Sequence, residues 1–301
     1  MKEITFLSKT ESMSLSMDNG KYIKFVDHVF KTKKRELVTQ LLISRLYKKE
    51  YTVEGADVLK LVEDLNFNER KKTFPNLSKE VSIIIPTRFN PENLENCLKS
   101  IYEHTPKGYE IIVIDNEAPK ESKKIMEKWA KKIGKDMKII HNKENHSYAA
   151  SNNQGVEIAT RPYICYLNDD TIVGDKWLDS MVHIIKTINK CGMVGKSSFT
   201  KDKKPKELQQ SLYTDRCNVA FGYCTVLKKE DAHFDEDFEF AGWEDIDLCE
   251  RIKRADKEIW VERCFPIIHL GRSSTSKIEN IDKIYAKNRA YFERKWEKSY
   301  T

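Results

Sequence analysis

The chain has 301 residues and a formal net charge of +6, and its seven cysteines include no C-x-x-C pair. That pattern disfavours a zinc site or a disulfide framework and suits a reducing compartment. Residues 1–80 hold 16 lysines and arginines against 12 acids, which leaves 37 against 35 in the remainder; a balance this close disfavours a nucleic-acid surface built on bulk charge and leaves a local one open.

Along the chain, Lys2 and Glu3 lead into a polar stretch where a secretory leader would have an apolar core, and no apolar run approaches the roughly 20 residues of a membrane span. A soluble, cytoplasmic chain is expected, with peripheral membrane contact left open by its Lys-rich helices. Residues 1–78 read as a small α+β module and linker. Ser14 to Met17 and Tyr22 to Val26 alternate as strands around Asn19-Gly20, a pair that tolerates the positive φ of a tight hairpin turn. Leu37, Leu41, Leu42 and Leu46 mark one face of a helix, and Val58, Leu61, Val62 and Leu65 mark a second. The charged run Asn68 to Pro75 reads as the linker.

From residue 79 to 301 the pattern changes to alternating strands and helices. Val81-Ser82-Ile83-Ile84-Ile85-Pro86-Thr87-Arg88 is a buried strand stopped by proline, Glu92 to Tyr102 a helix, and Glu110 to Asn116 a second buried strand ending in Asp115-Asn116. Together they predict a β-α-β unit with both strand ends at the carboxyl edge of a parallel sheet, where open α/β folds bind ligands. A Lys-rich amphipathic helix follows around Ile125, Met126, Trp129 and Ile133. Then comes Asn145-His146-Ser147-Tyr148-Ala149-Ala150-Ser151-Asn152-Asn153-Gln154-Gly155, in which Asn152, Asn153 and Gly155 open another helix, where amides can meet phosphates or simply cap the helix. Tyr163 to Leu167 is a third apolar strand. It ends in Asn168-Asp169-Asp170, either a turn or a set of hard oxygen ligands for Mg²⁺ or Mn²⁺. Cys191 to Lys204 reads as a strand and a long polar loop. Farther on come Gly242-Trp243-Glu244-Asp245-Ile246-Asp247, Cys264 to His269, and the helical run Asn288 to Trp296.

This ordered set resembles the family 2 nucleotide-sugar glycosyltransferases of the GT-A fold, in the branch similar to rhamnosyltransferases, over residues 79–301. The sequence departs from the family pattern at Ser147, Asn168 and Trp243, none of which removes a carboxylate the chemistry needs. The resemblance implies an α/β, Rossmann-like, mostly parallel sheet flanked by helices, here joined to the amino-terminal module. It implies an inverting, metal-dependent transfer of a sugar from a UDP-, dTDP- or GDP-sugar to a hydroxyl acceptor. A glycan or its lipid-linked precursor is the expected acceptor, with a protein or a modified DNA base as alternatives.

Carried over residue by residue, Asp170 is the metal ligand with His269 as the second, and His269 otherwise reads as a structural histidine. Pro86, Thr87, Arg88, Asp115, Asn116 and Asn153 would hold the nucleotide, and Asn168 and Asp169 would support the metal ligand and the ribose. Asp245 is the base that takes the acceptor proton, flanked by Glu244, at a helix start that favours a carboxylate. Trp243 is placed to stack on the acceptor. A non-catalytic nucleotide- or carbohydrate-binding relative is the competing reading, and the joint presence of Asp170, Asp245 and His269 speaks against it. A nucleotidylyltransferase is a further alternative, but the Gly-rich, Arg-containing loop it would need after the first strand is missing.

Overall fold

A computed structural model of the chain describes residues 4–8, 13–16, 22–26, 29–32, 51–54, 73–199, 214–271 and 280–299. Two compact units emerge, Met1–Thr73 with Lys203–Arg216, and Phe74–Asp202 with Cys217–Thr301. In the first, β1 (Ile4–Ser8) pairs antiparallel with β4 (Val29–Thr32) and β5 (Tyr51–Glu54), and β2 (Met13–Ser16) pairs with β3 (Tyr22–Phe25). The last pair is the expected hairpin, in register from Met13 opposite Phe25 to Ser16 opposite Tyr22. Its Asn19-Gly20 turn and both expected helices lie outside the described residues. The β4-β1-β5 sheet is an addition that the sequence pattern does not mark.

The second unit is an α/β layer structure. Its elements are β6 (Val81–Thr87), α1 (Pro91–His104), β7 (Glu110–Asn116), α2 (Lys120–Ile133), β8 (Met137–Asn142), α3 (Tyr148–Ile158), β9 (Tyr163–Leu167), β10 (Thr171–Ile172), α4 (Trp177–Thr187) and β11 (Cys191–Phe199). After β12 (Thr214–Cys217) follow β13 (Cys224–Lys228), α5 (Glu244–Arg254), β14 (Glu258–His269) and α6 (Ile281–Trp296). The strands run in the order β10-β14-β11-β13-β9-β6-β7-β8. β9, β6, β7 and β8 are parallel neighbours, and β11 is parallel to β14. β13 inserts antiparallel to both β9 and β11. The sheet is thus mixed but mostly parallel, as expected. Among the described residues no helix is long and apolar enough to cross a membrane.

Isoleucines 83–85 and 111–112 and Ile114 are fully buried, because helices cover both faces of a parallel sheet and each strand is apolar on both sides. Gly155 is required by close packing. A Cβ there would sit 2.5 Å from Cγ2 of Ile84, so its absence lets α3 lie directly on β6. Residues at the end of the expected linker belong to this unit. Phe74 packs against the rings of His183 and Phe265. Asp179 in α4 accepts the backbone N–H groups of Leu77 and Ser78 and the Ser78 hydroxyl, at 2.9, 2.7 and 2.7 Å. That buried carboxylate reaches across 101 residues of chain to Ser78 and fixes the entry to β6.

Across the sheet, the sequence marks β14 only from Cys264 onward, yet the strand begins earlier and its first half carries Glu262. Glu262 forms an ion pair with Lys196 of β11 in which neither side chain is exposed. The carboxylate also accepts the N–H groups of Cys264 and Phe265, and Lys196 donates to the Phe265 carbonyl at 2.7 Å. With these partners in place, the pair holds the segment leading to His269 in one conformation.

Candidate active site

Parallel strands that start together also end together, so the carboxyl ends of β7, β6 and β9 present their last side chains along one edge. In register, Thr87 lies beside Asp115, and Asp115 beside His141. Asp115 is fully buried; it accepts the Ala118 N–H at 2.7 Å, and His141 Nδ1 lies 2.7 Å from its other oxygen. Asn116 donates to Ser151 Oγ and accepts from Asn142. Arg88 pairs loosely with Glu117 at 3.4 Å and stands 4.5 Å from the Phe89 ring. With the Asn145 amide turned to satisfy both its groups, Arg88 donates to it as well. Pro86 is half-buried at the strand end. Five of the six residues expected at the nucleotide therefore line one edge. Asn153 is the exception: α3 begins at Tyr148, so Asn152, Asn153 and Gly155 lie inside the helix and not at its expected start. The Asn153 amide donates to the Phe234 carbonyl and Glu236 and accepts the Phe234 N–H, which ties α3 to the loop after β13 and leaves neither amide hydrogen for a ligand.

Next along the edge, the chain leaves β9 and turns into β10. Asp169 is buried and accepts the Thr87 hydroxyl at 2.7 Å, which joins the β9 end to the β6 end. Asn168 acts through its backbone: its N–H donates to the Tyr223 carbonyl at 2.9 Å, and its carbonyl accepts the Thr171 hydroxyl at 2.7 Å. Antiparallel pairing sets Thr171 opposite His269, so the carboxylate of Asp170 and the imidazole of His269 meet, with Oδ1 and Nε2 3.2 Å apart. Residues 99 apart in sequence are brought into one pair by a two-residue strand.

Whether this pair suits a divalent cation is a question of donors and room. Asp170 is buried, while His269 keeps about a fifth of its side chain exposed. Among the described residues no set of three His, Cys, Asp or Glu side chains gathers into a complete metal cage. One carboxylate and one imidazole form a donor set that Mg²⁺ or Mn²⁺ accepts when substrate phosphates and water supply the rest.

Asp245 lies at the start of α5, beside the segment that precedes β13. The Gly222 N–H donates to Asp245 Oδ2 at 3.2 Å, and the Gly222 carbonyl accepts the Tyr148 hydroxyl at 2.8 Å. Asp245 also accepts the Ile246 N–H. Burial raises its carboxyl above the usual range, outweighing the lowering effect of these N–H groups. Burial and the neighbouring Asp245 charge push Glu244 up to about 8. Among the described residues its buried Oε2 has no hydrogen-bond partner. A carboxyl raised in this way favours its protonated form more than an exposed one does.

The loop before this pair is shaped by α6. Asn288, buried, accepts the Glu239 N–H and donates to the carbonyls of Glu239, Ala241 and Gly242. Trp296 Nε1 donates to Asp247 at 2.8 Å. Trp243 stands in the left-handed region at φ 79°, a backbone state that glycine adopts freely. Its indole packs on Phe292 with centroids 5.4 Å apart, so part of the ring expected to stack on the acceptor is occupied by α6.

Burial of the Glu244 carboxyl makes stability depend on pH. A group whose folded pKa lies above its unfolded value of 4.5 stabilises fully below 4.5, and that contribution is lost as pH rises to about 8. At pH 7 the loss amounts to about 3 kcal/mol. Glu244→Gln should therefore unfold at higher urea than the parent at pH 7, by about 2–3 kcal/mol, with the gap closing toward pH 4.5. Urea titrations of both proteins across that range check this, and a gap that does not change with pH would show an ordinary carboxyl.

Sequence reasoning missed His141, Tyr148, Gly222 and Tyr223. His141-Asn142 does repeat the strand-end pattern of Asp115-Asn116 one strand over, a signal available but faint. Nothing local marks Gly222 or Tyr223.

The family model described as "Glycosyl transferase family 2" matches residues 82–247, more than half of the chain. Glycosyltransferase AglE of Haloferax volcanii is 31% identical over 107 residues, 35% of each chain. A Bacillus subtilis protein called an uncharacterized glycosyltransferase, EpsJ, is 24% identical over 210 residues, 61% of this chain and 60% of its own. The chain thus spans between about a third and three fifths of the length of these relatives. Among solved structures, the mannosyltransferase PcManGT from Pyrobaculum calidifontis, in complex with GDP-Man and Mn²⁺, superposes with a TM-score of 0.57 at 16% identity, covering 79% of this chain and 72% of that one. GalNAc-T7 with UDP, GalNAc and Mn²⁺ gives 0.56 at 15%, covering 77% and 55%. Both likenesses concern the fold, which is GT-A.

Proposed function

The chain belongs to glycosyl transferase family 2, and from that premise we propose that it moves a sugar from a nucleotide-sugar donor to a hydroxyl acceptor with inversion, using a divalent cation. One observation carries the reading. The Asp170–His269 pair and the Asp245 carboxylate contact adjacent residues of one segment: Tyr223 stacks on His269, and Gly222 donates to Asp245. A cation ligand pair and a base so disposed suit a displacement in which the diphosphate leaves on one side of the sugar and the acceptor enters on the other.

In this reading Asp115, with His141 on its outer oxygen, faces the nucleotide base, while Thr87 and Asp169 lead from the nucleotide base toward the diphosphate. Asp170 and His269 hold Mn²⁺ or Mg²⁺, whose contribution when bound is to neutralise charge on the departing diphosphate. Asp245 takes the proton of the acceptor hydroxyl as the glycosidic bond forms. Phe221, next to Gly222 and 62% exposed, offers an apolar wall on that side, which suits a sugar face. A glycan or its lipid-linked precursor is the acceptor class we favour.

The test is binding before turnover. Thermal unfolding with UDP, dTDP and GDP, each with and without Mn²⁺, should show one nucleotide that raises the melting temperature, and raises it more with the metal, since a ligand of the native state stabilises it. If none of the three shifts unfolding under either condition, the donor site is not where this reading puts it.

A further inference from the structure

We propose that Tyr223 is a positioning residue for the cation: it holds the His269 ring at the angle that keeps Nε2 aimed at Asp170. This inference rests on the proposed cation role of Asp170 and His269. The imidazole is the last side chain of β14 and keeps part of its edge in solvent, so its rotation needs a partner to fix it. Tyr223 supplies one. The two rings are stacked, with centroids 4.4 Å apart and planes 16° from parallel. A stack this flat restricts the imidazole to rotations within its own plane.

Tyr223 is itself anchored. Its carbonyl accepts the N–H of Asn168, two residues before Asp170, at 2.9 Å. Its hydroxyl donates to the Lys196 carbonyl. Lys196 in turn is locked by the buried ion pair with Glu262, whose carboxylate binds the backbone of the strand that ends in His269. The contacts close a ring through β9, β11 and β14 and the residue before β13, with the imidazole on its open side. Groups that orient a metal-binding histidine typically govern about 10–100-fold in metal affinity. Tyr223 does so by a ring face, in contrast to the usual hydrogen bond to the second nitrogen.

The test measures Mn²⁺ binding, by the paramagnetic resonance signal of the free ion, with UDP, dTDP or GDP present. Nucleotide binding without metal is measured alongside by calorimetry. Tyr223→Leu, which removes the stack, should weaken Mn²⁺ about tenfold or more and leave metal-free nucleotide binding within about twofold of the parent. Tyr223→Phe keeps the ring and loses only the Lys196 bond, so it should stay within about threefold on both measures. Parental Mn²⁺ affinity in Tyr223→Leu overturns the proposal. So does an equal loss of metal-dependent and metal-free binding, which would mean general disruption, and so does a Tyr223→Phe as weak as Tyr223→Leu. His269→Ala separates the two levels of inference. If it weakens Mn²⁺ while Tyr223→Leu does not, the positioning role alone falls; if His269→Ala binds Mn²⁺ like the parent, the cation assignment falls and the positioning role with it.

Discussion

Asp245→Asn should bind nucleotide and Mn²⁺ nearly as the parent does, yet transfer sugar slower by about a hundredfold to ten-thousandfold, the range for loss of a general base. The asparagine keeps an oxygen for the Gly222 N–H, so the segment 221–223 and the His269 stack beyond it need not move. What disappears is the carboxylate proposed as the base; in the parent its neighbour Glu244 is pushed up by burial and by the Asp245 charge. Glu244→Gln leaves the Asp245 carboxylate in place and should cost transfer far less. Calorimetry with the nucleotide that passes the unfolding test, beside a transfer assay on both variants, reads the two halves separately. A larger transfer defect in Glu244→Gln, or weak nucleotide binding in Asp245→Asn, would move the base to the other carboxylate.

Asp170→Asn should lower turnover by about a hundredfold or more through lost charge stabilisation of the leaving diphosphate. It should also abolish the extra thermal shift that Mn²⁺ adds to the nucleotide. The metal-free shift should survive, since the bonds from Thr87 to Asp169 and between His141 and Asp115 are left in place. The fold should survive as well: the Leu270 N–H donates to the Asp170 backbone carbonyl at 3.0 Å, which the substitution keeps. Full Mn²⁺-dependent turnover in this variant would remove Asp170 from the site.

Sequence alone was enough for most of what depends on local period and chain order in the second unit, though it marked β14 only from Cys264. Strands that are apolar on both faces, as at Ile83 to Ile85 and Ile111 to Ile114, announce a covered parallel sheet, and acids at their ends announce the edge that holds the candidate site. Asp115, Asp169 and Asp170 stand at or just past such ends, whereas Asp245 opens a helix and came from the family resemblance. Three things were not legible. Asn153 looks like a ligand in the sequence because an amide at an expected helix start has two uses; in the folded chain the helix begins at Tyr148, and the Asn153 side chain is taken up by Phe234 and Glu236. Glu244 and Asp245 are adjacent carboxylates that only the family resemblance ranks; in the folded chain burial raises both, and the Gly222 and Ile246 N–H groups oppose the rise at Asp245. Tyr223 stands at an ordinary aromatic position before a strand, and its meaning arises only where the folded sheet brings Asn168, Lys196 and His269 around it. Periodicity is written within a few residues, so sequence determined most elements of the second unit, though not every end. Side-chain partnership across strands depends on register and pleat between distant segments, and that only the folded sheet decided.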